Sequence, residues 1–333
     1  MLHTRFTEMF GITHPVMAAP MGLHSGGTLA AAVSAAGGLG SFAGTHPWKG
    51  PDWIHAEIAT IRATTDRPFG VGFITPFLPF TEPHFDAALE ERPEIIALSF
   101  ADPRPWLARA KDAGARVVCQ VQNYEDAEVA VAAGADVLVA QGNEAGGHTG
   151  TMGLLPLLAE IVRRHPDVPV LAAGGIGDGR TLAAVLTAGA DGAWLGTAFL
   201  ATPEAVEVHD AHKRLIVESD GGDTVWTRTY NIVSGLPWPE TLGERVRRNR
   251  FTDEWSERES TLQNRRAEFA PRKTSTPSRP RPTPTRARSS TVSRHASSTP
   301  SAPPRTWSGR SAKRPRRSWT HGLDRYAQQS GDP

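Results

Sequence analysis

A closed barrel of eight parallel strands, each followed by a helix, is the fold class this sequence predicts, and three observations predict it. First, a join recurs in which a small-residue helix ends at glycine and a β-branched run follows: DAGARVVCQV around Gly114, AAGADVLVAQG around Gly134 and TAGADGAWLG around Gly189. Glycine suits the left-handed conformation just past a helix end, and the polar residue and apolar run after it read as a loop entering a buried parallel strand. Second, such runs alternate with helical stretches eight times within about 200 residues, as a (β/α)8 TIM barrel requires. Third, glycines cluster after strands six, seven and eight, whereas an open dinucleotide-binding sheet carries its glycine fingerprint after strand one.

In chain order, strands are expected near 15–19 (PVMAA), 38–42 (GLGSF), 69–74 (FGVGFI), 94–99 (EIIALS), 116–121 (RVVCQV), 136–140 (DVLVA), 168–173 (VPVLAA) and 191–196 (DGAWLG). Helices are expected near 27–36, 52–64, 82–91, 103–113, 124–133, 153–164, 179–188 and 203–218. These elements assign 1–222 to the barrel. Residues 223–265, which mix turns, aromatic residues and a charged helical stretch, are expected to cap one barrel end.

The remainder, 266–333, is expected to be a disordered basic tail. Within 271–320, 28 of 50 residues are Ser, Thr or Pro, and Val292 is the only Leu, Ile, Val or Phe. Such a segment cannot bury enough apolar surface to offset its ordering entropy. The net charge of +1 conceals the contrast, because those 50 residues hold 13 Lys and Arg and no acid. The rest carries 23 basic against 35 acidic residues. The tail has few aromatic residues and no recognisable nucleic-acid module, so it implies non-specific contact with polyanions at most.

Cys119 is the only cysteine, which excludes an intrachain disulfide. The start, MLHTRFTEMFGITHP, has no apolar run behind a basic head, and no later stretch approaches the roughly 18 apolar residues of a membrane span. A soluble, cytoplasmic protein is expected. The histidines outside the glycine-rich loops share no metal-site spacing, so no metal is expected. Neither a Walker-type phosphate loop nor the serine elbow of hydrolases is present.

The strongest motif is QGNEAGGHTG, Gln141 to Gly150, directly after the sixth strand. In a barrel this is the carboxyl-terminal face, where active sites are built. Its glycines let backbone amides approach a flat ligand, and His148 can exchange a proton near neutral pH. Glu144 is expected either to bond a loop amide or to face solvent. AAGGIGDG, Ala172 to Gly179, closes strand seven, and LGTAFL, Leu195 to Leu200, closes strand eight. Loops after these two strands, with a short extra helix, form the recurrent phosphate site of the fold, which selects Gly174, Gly175, Gly196 and Thr197. Strand one brings Ala19, Pro20 and Met21 to the same mouth.

At these residues the sequence resembles the nitronate monooxygenase family, formerly called 2-nitropropane dioxygenases, over about residues 1–265. VMAAPMG, QGNEAGGHTG, LAAGGIGDG and LGTAF occur in the family's order and spacing. The resemblance implies a barrel that binds FMN non-covalently and oxidises nitronates or nitroalkanes with O2 to a carbonyl compound and nitrite. It makes His148 the catalytic histidine, lines the flavin with Gln141, Gly142, Gly146 and Gly147, and gives the phosphate to Gly174, Gly175, Gly196 and Thr197. Met21 is then either beside the isoalloxazine ring or a packing residue. Gly72 stands near a position where many members carry a flavin-contacting asparagine.

A second departure is the tail, which replaces an acidic, alanine-rich helical region and a returning glycine-containing segment. Its alternation of Arg, Pro, Ser and Thr looks like a GC-rich coding sequence read out of frame. The expectation is a frameshift beginning between about Glu259 and Pro271. Two alternatives to the monooxygenase stay open: an FMN-dependent enoyl-acyl-carrier-protein reductase, whose loop reads ESGGH where this chain has EAGGH, and an inactive flavin-binding protein.

Overall fold

In the computed structural model, residues 2–269 are described. The strands are β1 (Val16–Ala18), β2 (Gly40–Ala43), β3 (Phe69–Ile74), β4 (Ile95–Ser99), β5 (Arg116–Val121), β6 (Val137–Gln141), β7 (Gly147–Thr149), β8 (Val170–Ala173), β9 (Gly192–Leu195), β10 (Thr224–Thr227) and β11 (Gly243–Arg247). Eight of them pair in parallel in the order β1-β9-β8-β6-β5-β4-β3-β2. The edges meet where Met17 bridges Leu39, with Ala18 N donating to Leu39 O and Leu39 N to Val16 O, both at 2.9 Å. The sheet is therefore closed, a (β/α)8 barrel, as the sequence predicts.

The three glycine joins explain how each helix hands over to its strand. Gly114, Gly134 and Gly189 have φ of +91°, +94° and +100°. In each, the next residue reaches back to close the helix: Ala115 N to Ala110 O, Ala135 N to Ala130 O and Ala190 N to Val185 O. This is the Schellman pattern, which satisfies carbonyls that a helix end otherwise leaves unpaired. The polar residue that follows has a second job. Asp136 accepts from Val117 N at 2.8 Å and Asp191 from Val170 N at 3.0 Å, so each carboxylate ties down the start of a neighbouring strand.

Alternation along the strands sorts the core into two layers. Met17, Leu39, Ile95, Val118, Val137, Val139, Leu171 and Trp194 fill the barrel interior. Val71, Ile96, Val117, Leu138 and Val170 face outward into the larger cluster with the surrounding helices. Gly40 shows how close that outer packing is, since a Cβ there would stand 1.8 Å from Ala30 O on the helix Gly27–Ala35.

An amino-terminal helix, Arg5–Phe10, was not among the expected elements. Its Phe6 joins the interior cluster, and Arg5 bonds Asp191 in a fork, Nε to Oδ1 at 2.9 Å and Nη2 to Oδ2 at 2.7 Å. Six residues are too few for a periodicity signal; a Thr4–Thr7 capping box opens the helix and Gly11, with a φ of +63°, ends it. Asp191→Ala removes the Arg5 partner and leaves Val170 N unbonded. It is expected to cost about 1–3 kcal/mol, read as a lower urea midpoint at unchanged slope.

Other boundaries shift for identifiable reasons. The fourth expected helix begins early, at Leu78, and is kinked at Thr81 ahead of Pro83. The eighth, expected over 203–218, begins only at Asp210, because turns occupy the stretch through Pro203 that leads to it. Arg266–Phe269 is helical, and Phe269 packs edge-on against Phe251 and Trp255, so regular structure runs past the boundary expected at 266. The expectations for the basic tail from residue 270 onward lie outside the described residues.

Candidate active site

The loops after β6, β8 and β9 gather at the carboxyl mouth of the barrel. QGNEAGGHTG, expected as a loop throughout, folds back on itself, and its last part is the short strand β7. This strand leaves the barrel and pairs antiparallel with β11, which pairs with β10. His148 lies directly opposite Glu244 in that ladder, so the two side chains share a face.

The loop is held by side chains from the barrel wall. Gln141 is buried; its Oε1 accepts from Gln122 Nε2 at 3.0 Å and its Nε2 donates to His148 O at 3.0 Å. Thr149 Oγ1 donates to Gly142 O at 3.0 Å. Glu144 is exposed and also accepts from Leu154 N, the first amide of the helix Leu154–Arg164, at 3.1 and 3.0 Å. Arg245 Nε donates to Asn143 O at 2.6 Å, tying β11 to the same loop.

Around the His148 imidazole the polar contacts lie on one nitrogen. Nε2 is 2.8 Å from Asn231 Oδ1 and 3.1 Å from Glu244 Oε1. Trp238 stacks flat on the ring, with centroids 3.5 Å apart and planes 13° from parallel. Phe100 stands edge-on to both His148 and Trp238, and Phe77 edge-on to Trp238. Phe100 closes β4 with a φ of +76°, a strained backbone for a bulky side chain of the kind that collects at functional sites. The side chain of His148 is 19% exposed, neither sealed in nor free.

The glycine loops after β8 and β9 lie beside it. Gly174 has a φ of +110°, and a Cβ there would stand 2.9 Å from Ala145 N, so the β8 loop rests on the backbone of the β6 loop. A Cβ on Gly146 would come within 2.6 Å of Thr197 Oγ1, and one on Gly196 within 3.4 Å of Met21 Sδ. The expected residues thus come together: Gly142, Gly146 and Gly147 on one loop, Gly174 and Gly175 on the next, Gly196 and Thr197 on the third. Thr197 opens the short extra helix.

Among the described residues, the backbone N–H groups of Gly174, Gly175, Gly196 and Thr197 have no hydrogen-bond acceptor. Open donors on adjacent loops suit an anion. The longer helix after β8, Gly179–Thr187, contributes less, because Asp178 already caps it by accepting from Thr181 N at 2.9 Å. The Thr181 amide holds the Asp178 carboxyl below the usual carboxylate range despite its partial burial.

Strand one supplies the facing wall. Ala19 N donates to Leu195 O at 2.8 Å, and Met21 packs between the interior cluster and the cluster around Phe199 and Leu200. Pro20 lies over β3: a Cβ on Gly72 would be 2.1 Å from Pro20 Cγ. Any side chain at 72, an asparagine included, requires Pro20 to move.

Asn231, Trp238 and Glu244 were not singled out from sequence. The signal present was two short alternating segments, TVWT and GERVR, which with GHT build the second sheet. Among the described residues no group of three or more His, Cys, Asp or Glu side chains is placed to hold a metal ion, and no helix is long and apolar enough to cross a membrane.

Fold and site together define a (β/α)8-barrel protein whose working face is the carboxyl mouth. The chain belongs to the nitronate monooxygenase family, whose model matches residues 3–84 and 80–278. A nitronate monooxygenase of Pseudomonas aeruginosa is 36% identical over 284 residues, covering 70% of this chain and 79% of the relative. A (3aS,4S,5R,7aS)-5-hydroxy-7a-methyl-1-oxo-octahydro-1H-indene-4-carboxyl-CoA dehydrogenase of Mycobacterium tuberculosis is 37% identical over 239 residues, 71% of this chain. The match spans 65% of that relative's length. Among solved structures, FabK from Thermotoga maritima superposes with a TM-score of 0.71 at 33% identity, covering 80% of this chain and 82% of that one. A nitroalkane oxidase from Streptomyces ansochromogenes gives 0.64 at 35% identity, covering 76% and 81%. By their names, the monooxygenase, dehydrogenase and oxidase relatives are oxidoreductases.

Proposed function

We propose that this chain is an FMN-dependent oxidoreductase that oxidises alkyl nitronates, or the parent nitroalkanes, with O2 to a carbonyl compound and nitrite. The observation that carries the reading is the gathering of His148 and the open amides of Gly174, Gly175, Gly196 and Thr197 on one barrel mouth in a chain of this family. The open amides and the Thr197 hydroxyl fit a phosphomonoester, and Gly147, with no atom within 4 Å of where a Cβ would stand, leaves room for a flat ring, while Gly142 packs on Leu154 and Gly146 faces Thr197. In this reading Ala19, Pro20, Met21, Gly72 and Gln141 complete the flavin pocket, Gln141 by fixing the backbone of His148 rather than through a free amide.

When bound, the flavin supplies a two-electron acceptor that oxygen can reoxidise. His148 takes the α-proton of a neutral nitroalkane, a step that a positioned imidazole with one ring nitrogen free of hydrogen bonds to any described residue can perform. A nitronate, already deprotonated at carbon, does not need that step. Trp238 and Phe100 give the imidazole an aromatic surround, with Phe77 behind Trp238.

The test is purification of the protein, its visible spectrum, and oxygen uptake with nitrite release across a panel of nitronates. The expected result is a yellow protein with stoichiometric nitrite; a folded but colourless protein would reject the flavoenzyme reading. A second reading is favoured by the likeness to FabK, namely reduction of an enoyl thioester. Consumption of a reduced nicotinamide with an enoyl thioester, and no nitrite from nitronates, decides for it.

A further inference from the structure

We propose that Asn231 and Glu244 are positioning residues that fix the His148 imidazole with its proton on Nε2, so that Nδ1 is the nitrogen that accepts the substrate's proton. The proposal deepens the reading of His148 as a base and rests on it.

The argument begins at Leu242. Its carbonyl can only accept, and Asn231 donates Nδ2 to it at 3.1 Å. That contact orients the Asn231 amide and turns Oδ1 toward His148, 2.8 Å from Nε2. Oδ1 can only accept, so Nε2 must donate, and the neutral imidazole is the Nε2–H tautomer. Nδ1 forms no hydrogen bond to any described residue.

Glu244 acts differently. Its Oε1 is 3.1 Å from the same nitrogen, in ion-pair contact beside the Asn231 bond. It is the counter-charge for the imidazolium that forms when Nδ1 takes a proton. The other charged groups near the ring are engaged elsewhere. Arg245, next along β11, points to Asn143 O and Thr224 Oγ1, and Asp102, beyond Phe100, is paired with Arg104. Among the described residues Glu244 is thus the one charge in contact with the imidazole. The flat stack with Trp238 holds the plane of the ring while these two groups set its chemistry.

The test has a readout that needs no turnover. In protein carrying 15N-labelled histidine, the long-range proton–nitrogen pattern of His148, assigned by its loss in His148→Ala, reports which ring nitrogen bears hydrogen. The Nε2–H pattern is expected in the wild type, and a mixture of tautomers in Asn231→Leu. An Nδ1–H pattern in the wild type would overturn the proposal without any variant. Glu244→Gln keeps the side chain's shape and removes its charge. With FMN bound it is expected to lower kcat on a neutral nitroalkane about tenfold, with KM and the turnover of pre-formed nitronate unchanged. Equal losses on both substrates, or none on either, would show that Glu244 does not serve proton transfer. Unchanged activity in His148→Ala would instead remove His148 as the base, whatever the tautomer.

Discussion

His148→Ala is expected to bind FMN as the wild type does and to lose about 10²- to 10⁴-fold in turnover of neutral nitroalkanes, the range a positioned general base contributes. Cofactor binding should survive because the imidazole is held by Asn231 and Glu244 and makes no hydrogen bond to the residues whose amides stand open after β8 and β9. The backbone at 148 should also stay in place, since Gln141 Nε2 holds its carbonyl and β7 remains paired with β11. The loss should be much smaller on a pre-formed nitronate, which has no α-proton left to remove. Oxygen-electrode assays on both substrate forms, at flavin occupancy matched by absorbance, measure the difference. Equal turnover of the neutral nitroalkane by wild type and variant would remove His148 from the reaction.

The barrel was legible because its signals are local. The Gly114, Gly134 and Gly189 joins each pair a helix-ending conformation with a buried apolar run, and both halves are set by residues within about ten positions. The loops that meet at the mouth were legible for the same reason, since fold topology carries any residue after β6, β8 or β9 to that face. The surroundings of His148 were not. Glu244 meets it only because β11 pairs with β7 in one particular register, and a slip of one residue would turn Arg245 to the imidazole instead. Asn231 and Trp238 sit on a six-residue helix and the loop after it, too short for a periodic pattern. Gly72 was legible as a departure, but the Pro20 ring against its α-carbon is a contact between the loop after β1 and β3 that no local pattern encodes.

The second large effect is expected at Gly174. Its φ of +110° is one that a residue with a Cβ rarely adopts, and the added carbon of Gly174→Ala would sit 2.9 Å from Ala145 N and 3.1 Å from Gly142 O. Both neighbours are backbone atoms of the loop that carries His148, so no side-chain rotation relieves the clash. The strain is of order 1–3 kcal/mol, and the loop after β8 relaxes it most readily, being partly exposed and held at its far end by Asp178 and Thr181. Moving that loop displaces the open amides of Gly174 and Gly175 from those of Gly196 and Thr197. FMN affinity is therefore expected to fall about 10- to 100-fold, the equivalent of that strain at 1.4 kcal/mol per decade, while far-ultraviolet circular dichroism stays that of the wild type. Flavin fluorescence titration of the apoprotein measures the change. An unchanged dissociation constant would mean that the β8 loop contributes no ligand contact, and would return Gly174 to a purely architectural role.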